Sequence, residues 1–434
     1  MKPKVALVGL SGEFEIGFDQ APALMKEAVS RLTASGVDLI DTRCVLYNDG
    51  TVKQAVERLK GGGFDALCVC VATWSEDHYL LDILELLHVP VILWAFPAIH
   101  TGSLCGTHQI CSVLKELDKP YFFVYGSTDD QKAVERIVIA ARAASLYRRM
   151  KQVRIGTVGG RVKGMTEIAC DEFEIKQRIG ARIINLDESE LSAACDAVSA
   201  EAAAFVWQNA KSCAGQVLSS DSQGAEAARL YLAMKRLIGA YALDGICVKC
   251  YPNFMGKVCL GYTLLSGEGI VCGCEGDVMG TVAMKLLSEL TGGPVHNTDL
   301  LYPEPEGNTI LFSHCGSGAF SLAAASEDVQ LAPVRLAENG VCTLFPARPG
   351  VVTLINLVGR RGTLRLSAIV GEAVACGMVF PGNPLKVHFQ PRVTDLVQNI
   401  AEEGIGHHWM AGYGNVIQEL EAFCALAGVR MIRL

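Results

Sequence analysis

No basic block interrupts this 434-residue chain, whose formal net charge is −8. That weighs against binding nucleic acid or an anionic membrane. No segment reads as a membrane-spanning helix, which needs ~20 consecutive predominantly apolar residues. The opening MKPKVALVGLSGEFE has an apolar run too short for a secretory core, and Glu13 and Glu15 follow at once. It reads as a first strand and not as a targeting peptide. The GxGxxG fingerprint is absent, since VGLSGEFEIG has the wrong glycine spacing, which argues against a dinucleotide oxidoreductase. Cys247-Val-Lys-Cys250 has no second CxxC to complete a zinc site, so structural core is the better reading. There is no internal repeat and no low-complexity tract.

What is present is apolar and globular. Half of the residues are hydrophobic and 19% are charged, so large cores can form, and the length suits two to four domains. The seventeen cysteines fall mostly inside apolar segments such as ALCVCVA, IVCGCEG and AVACGMV. They read as reduced, buried, small residues of a cytoplasmic protein.

Residues 1–148 alternate strand and helix signals. Apolar runs at 5–10, 64–72, 90–96 and 120–126 are separated by segments of helical spacing, among them one over 108–117. Such repetition predicts a parallel sheet covered on both faces. Ligands bind beyond the carboxyl ends of these strands, where Gly9, Gly12, Trp74, Pro97, His100 and Gly102 fall. Trp74 there is either a stacking face for a sugar ring or a loop anchor. A helix over 131–150 connects to a second α/β domain, 149–291. In it, GGR at 159–161 is an anion cradle or a plain tight turn, and residues 166–187 give a helix and a strand. Residues 292–434 change texture: short Val-, Leu- and Thr-rich runs are broken by NG, RPG, RRG and PGN, the marks of hairpins. A helix near 416–428 closes the chain. The expected fold class is α/β: two doubly wound parallel-sheet domains followed by a β-rich, barrel-like C-terminal domain.

The chemistry centres on residues 270–300. Glu275 ends an apolar strand, and Asp299 follows a helix and its TGGP stop. Acids at strand ends are often solvated or capping residues, but two that converge can hold a divalent ion or act as an acid/base pair. His314 ends another strand, and His407 and His408 share a glycine-flanked loop. Two adjacent imidazoles have little use in core packing. Two carboxylates and one imidazole suit Mn²⁺ or a similar divalent cation. Such a site can shift a proton between C1 and C2 of a sugar through an enediol.

These residues, with HCG at 314–316 and HHWMAGYGN at 407–415, resemble the L-fucose isomerase / L-arabinose isomerase family. The resemblance spans the whole architecture. It implies metal-dependent aldose–ketose isomerisation, usually with Mn²⁺, in a cytoplasmic homo-oligomer, often a hexamer. It implies that Glu275 and Asp299 are both metal ligands and the proton-transferring pair, and that His408 is the third ligand. His314, His407, Lys249 and Trp74 are implied contacts for the substrate, with His314 also a candidate ligand. Lys249 reads equally as a rim lysine. Met410 stands where the family's loop has a second His, and GLSGEFEIG lacks an arginine expected for fucose. The implied substrate is therefore a pentose, a deoxyhexose or a C6-modified hexose such as a sulfo-sugar. The alternative is a non-catalytic sugar-binding regulatory protein on the same scaffold.

Overall fold

The computed structural model describes residues 2–434. The chain divides into two compact units, Met1–Arg149 with Gln418–Gly428, and Met150–Ile417 with Val429–Leu434.

In the first unit, strands β1 (Lys4–Leu10), β2 (Asp38–Leu46), β3 (Ala66–Val71), β4 (Val91–Ala95) and β5 (Tyr121–Tyr125) alternate with helices α1 (Ala21–Ala34), α2 (Asp49–Leu59), α3 (His78–Leu86), α4 (Ser103–Glu116) and α5 (Gln131–Met150). The strands pair in parallel in the order β2-β1-β3-β4-β5. Every residue of β3 and β4 is buried, because neither face of a doubly wound sheet meets solvent. The loops leaving β1 and β3 are tied together: the Gly12 N–H donates to the Trp74 carbonyl at 3.0 Å and to the Thr73 hydroxyl at 2.8 Å. Helix α4 begins at Ser103 rather than near 108, since the Thr107 hydroxyl donates to the Ser103 carbonyl at 2.7 Å and makes a polar stretch its first turn. The late helix Ile417–Ala427 packs here, with the Phe423 ring 6.2 Å from that of Tyr147 on α5.

The second unit opens with β6 (Arg154–Val158). Residues 166–179 do not form one helix. They make a 3-10 turn, a single α turn α6 (Glu172–Glu174) and a π turn. Asp171 forces the restart, because its carboxylate accepts from the Phe173 and Glu174 N–H groups. Then come β7 (Arg182–Leu186), α7 (Glu188–Asp196), α8 (Ala200–Lys211), β8 (Gln216–Val217), α9 (Asp221–Tyr241), β9 (Gly245–Val248), α10 (Cys259–Gly267), β10 (Val271–Gly273) and α11 (Val278–Thr291). A parallel sheet runs β10-β9-β6-β7. Its core joins Val158, Ile246 and Val248 of the strands to Met234, Tyr262 and Leu265 of the helices.

The remainder is mostly strand: β11 (His296–Glu304), β12 (Thr309–Ser313), β13 (Gln330–Val334), β14 (Asn339–Leu344), β15 (Gly350–Arg360), β16 (Thr363–Val374) and β17 (Leu385–His388), then α12 (Val393–Glu402), β18 (His408–Tyr413) and β19 (Arg430–Arg433). The order β15-β18-β11-β12-β17-β16, with β16 returning to β15, closes an antiparallel barrel. Strand β19 adds in parallel to β16, and β14-β13-β8 form a small separate sheet. The β15–β16 hairpin turns on Arg361 and Gly362, both at positive φ, as a two-residue turn matched to strand twist requires. Strand β11 carries a bulge between Leu300 and Tyr302 against β12. The barrel interior packs Phe312, Leu354, Ile369, Val387, Phe389 and Trp409.

Helix α11 is buried along nearly its whole length. It meets β9 and β10 of the sheet and β15 and β18 of the barrel, so the expected regions 149–291 and 292–434 share one compact unit. Among the described residues, no helix is long and apolar enough to cross a membrane, and all seventeen cysteines are free thiols. Phe312 is 2% exposed and anchors the strand that ends beside His314. Phe312→Ala is expected to cost about 3–5 kcal/mol, read from the urea midpoint.

Candidate active site

Strand β10 stops at Gly273, and the chain turns sharply through Glu275 and Gly276, at φ 61° and 69°. A non-glycine residue in the left-handed region costs ~1–2 kcal/mol, so the surroundings must hold it. They do. The Gly276 N–H donates to the Val248 carbonyl at 3.0 Å, and the Glu275 carbonyl accepts from the Val162 N–H at 3.3 Å. Gly276 must be glycine for space as well: a Cβ there would stand 1.9 Å from the Gly160 carbonyl oxygen. Asp277 follows and caps α11, accepting from the Gly280 N–H at 2.8 Å.

The barrel supplies the other half by register. Asp299 on β11 lies opposite His408 on β18 and opposite Ser313 on β12. His314 continues directly from Ser313. Cross-strand neighbours are held within side-chain reach, so three adjacent strands present Asp299, His314 and His408 together.

The two halves meet at His408. Its Nδ1 lies 2.8 Å from Asp277 Oδ2, and its Nε2 lies 3.0 Å from Glu275 Oε2 and 3.7 Å from Asp299 Oδ1. His314 Nε2 is 4.0 Å from Glu275 and 3.9 Å from Asp299. The side chains of His408 and His314 are 3% and 4% exposed, those of Glu275 and Asp299 23% and 26%. The acids therefore face the opening and the imidazoles form the wall.

The charges are coupled. Burial alone would lower the pKa of both imidazoles. For His408, the hydrogen bonds to Asp277 and Glu275 outweigh burial and lift it to about 9. For His314, Asp299, Cys315 and Glu275 lift it to about 10. Burial pushes Glu275 up, but the His408 hydrogen bond and the charges of His314, His408 and His407 bring it below the usual carboxylate range.

Two overlapping sets of ligand atoms lie within 4.8 Å of one another: Glu275, His314 and His408, and Asp299, His407 and His408. All are carboxylate oxygens or imidazole nitrogens, the donors a hard-to-borderline divalent ion takes. Asp299 Oδ1 is buried with no hydrogen-bond partner, as suits an oxygen meant for a cation. Asp277 behind His408 reproduces the carboxylate–histidine support common at metal ligands. The residues fit such an ion.

The remaining expected contacts are His407, Lys249 and Trp74. His407 is half exposed, with Nδ1 3.1 Å from Glu167 and its ring 4.2 Å from that of His408. Lys249 leaves β9 beside Val248, and its Nζ is paired with Glu188 at 2.7 Å. Trp74 belongs to the first unit, where its indole N–H donates to Gln109 at 2.8 Å. Sequence reasoning missed Asp277 and Glu167. Asp277 carried one readable signal, an acid directly before a helix, which predicts a cap and no more.

Asp277→Asn removes the charge that helps keep His408 protonated. In metal-free protein the His408 titration should move from about 9 toward its ordinary 6.5, followed by imidazole NMR. A raised folded pKa stabilises most below the unfolded value and fades as pH rises through the folded one. The stability gap between wild type and variant should thus be widest below about pH 6.5 and close above about 9.

No family model matches the chain. Curated relatives do. A protein named sulfoquinovose isomerase from Priestia megaterium is 25% identical over 376 residues, 84% of each chain. Another of that name from Alkalicoccus urumqiensis is 24% identical over 385 residues, 85% of this chain and 86% of its own. A third, from Clostridium sp. (strain MSTE9), is 25% identical over 377 residues, 83% of each. Among solved structures, the periplasmic binding protein component of the arabinose ABC transporter from Shewanella sp. ANA-3 aligns over 67% of this chain and 86% of its own, at 11% identity and a TM-score of 0.16, too slight a likeness to carry an argument. With relatives alike along most of its length, the chain is an enzyme, and they support a sugar isomerase.

Proposed function

We propose that the protein interconverts an aldose and its ketose, with Glu275 and Asp299 as the proton-transfer pair. Glu275, Asp299 and His408 would hold a divalent cation, Mn²⁺ by preference, with His314 as the fourth donor. The observation that carries this reading is the convergence of two partly exposed carboxylates on one opening walled by buried imidazoles. A binding protein without chemistry has no use for that pair. When bound, the cation would polarise the C1 and C2 oxygens and offset charge building on them.

The residues have a balanced task. One carboxylate takes the proton from C2 of the aldose, and an enediol forms. A proton is then delivered to C1, while the hydroxyl proton moves from O2 to O1. The C2–H and O2–H bonds break, the C1–H and O1–H bonds form, and nothing is oxidised overall. Glu275, held ionised by its imidazole neighbours, is ready to accept a proton at neutral pH. His314 and His407 flank the acids as donors to sugar oxygens, and Trp74 and Lys249 stay in the reading as outer substrate contacts. We favour a C6-sulfonated hexose, because the relatives' names specify sulfoquinovose. The resemblance to the L-fucose and L-arabinose isomerases extends the proposal to a homo-oligomer, a hexamer, and seventeen cysteines in largely apolar segments suit a reducing cytoplasm.

Incubation with sulfoquinovose and Mn²⁺ in D₂O should yield the ketose with deuterium at C1. Glu275→Gln and Asp299→Asn should each lower kcat by roughly a hundredfold or more in folded protein. Near-normal turnover in either variant removes that residue from the mechanism. Exhaustive chelation should abolish turnover and Mn²⁺ should restore it; full activity after chelation removes the cation.

A further inference from the structure

We propose that Arg161 recognises an anionic group at the far end of the sugar, a sulfonate on C6. This rests on the sugar-isomerase reading above. The loop over 159–164 lies on the turn that carries Glu275. At one end the Gly159 N–H donates to the Leu186 carbonyl at 3.2 Å, and at the other the Val162 N–H donates to the Glu275 carbonyl at 3.3 Å. A Cβ on Gly276 would stand 3.2 Å from the Arg161 Cα, so the arginine's backbone abuts the residue next to the acid. Val162 beside it is buried, and Arg161 itself is exposed. The side chain starts at the lip of the site and reaches about as far as a six-carbon sugar is long.

Charge makes the case stronger. Glu275, Asp299 and Glu167 put three carboxylates around the opening, with Asp277 buried behind His408. A cation standing where the sulfonate will lie offsets the repulsion these carboxylates exert on an anionic substrate. The cation of Lys249 is taken by Glu188 at 2.7 Å. Among the described residues, the Arg161 guanidinium has neither an ion-pair nor a hydrogen-bond partner. A planar fork of donors matches the oxygens of a sulfonate. The GGR stretch thus serves an anion through its side chain, with its glycines setting the turn.

The test compares 6-deoxy-6-sulfoglucose with uncharged 6-deoxyglucose on Mn²⁺-loaded wild type, Arg161→Ala, Arg161→Lys and Lys163→Ala. Steady-state kinetics and titration calorimetry are run on each, with circular dichroism to verify folding. Arg161→Ala should lower the ratio of kcat/KM for the sulfonated over the uncharged sugar by roughly ten- to a hundredfold, with the loss in KM. Arg161→Lys should recover part of it. Lys163→Ala removes the same charge two residues on and should move the ratio by less than about threefold. An unchanged ratio in Arg161→Ala, or an equal loss in Lys163→Ala, overturns the proposal. If wild type isomerises neither sugar, the isomerase reading falls and calorimetry decides Arg161. Selective loss of the sulfonated sugar upholds it; equal loss, no loss or no binding by wild type overturns it.

Discussion

A single imidazole fastens two architectures together. His408 opens a barrel strand, yet both of its ring nitrogens are answered from the parallel-sheet side, by Asp277 at 2.8 Å and Glu275 at 3.0 Å. It is buried, so neither contact is replaced cheaply by water. Asp277 has a second duty as the cap of α11, and α11 is the helix packed between sheet and barrel. The helix start, the ring orientation and the acid's position therefore depend on one hydrogen-bonded chain of three side chains.

The carboxylates are placed by different means. Asp299 is fixed by ladder register, which any well-formed antiparallel sheet supplies. Glu275 is fixed against its own backbone preference, at φ 61°, and the stored strain belongs to a site that needs its acid aimed rather than relaxed. The metal-free site is also proton-rich, because carboxylates hold the two imidazoles charged. A cation taking the imidazole nitrogens would have to displace those protons.

Much of this was readable in the chain. Continuous apolar runs gave the strands of the first unit, and RRG marked the hairpin turn at Arg361 and Gly362. Glu275, Asp299, His314 and His408 stood out through their residue types beside strand ends, and the fold brings these four together. The local pattern failed where long-range contact decides. Asp277 reads as a cap because its Oδ1 is one; its Oδ2 contact lies 131 residues away in sequence. Lys249 reads as a substrate contact or a rim lysine, and neither reading contains its ion pair with Glu188. Residues 166–179 carry helical spacing, yet the Asp171 side chain competes for the backbone and breaks the run. Closure of the barrel is a property of pairings between β15 and β16 and their neighbours, which no short window contains.

The irregularity in β11 separates two parts of one strand. One extra residue, Leu301, stands between the rungs Leu300–Phe312 and Tyr302–Leu311. Side chains alternate faces along a strand, so such an insertion resets which way the following residues point. The tip of the β11–β12 hairpin, near Asn308, is thereby uncoupled from the stretch holding Asp299. The tip is tied instead to the segment after β17, where the Asn308 amide donates to the Phe389 and Pro391 carbonyls at 2.7 and 3.1 Å, so the outer hairpin follows that segment while the inner rungs stay in phase.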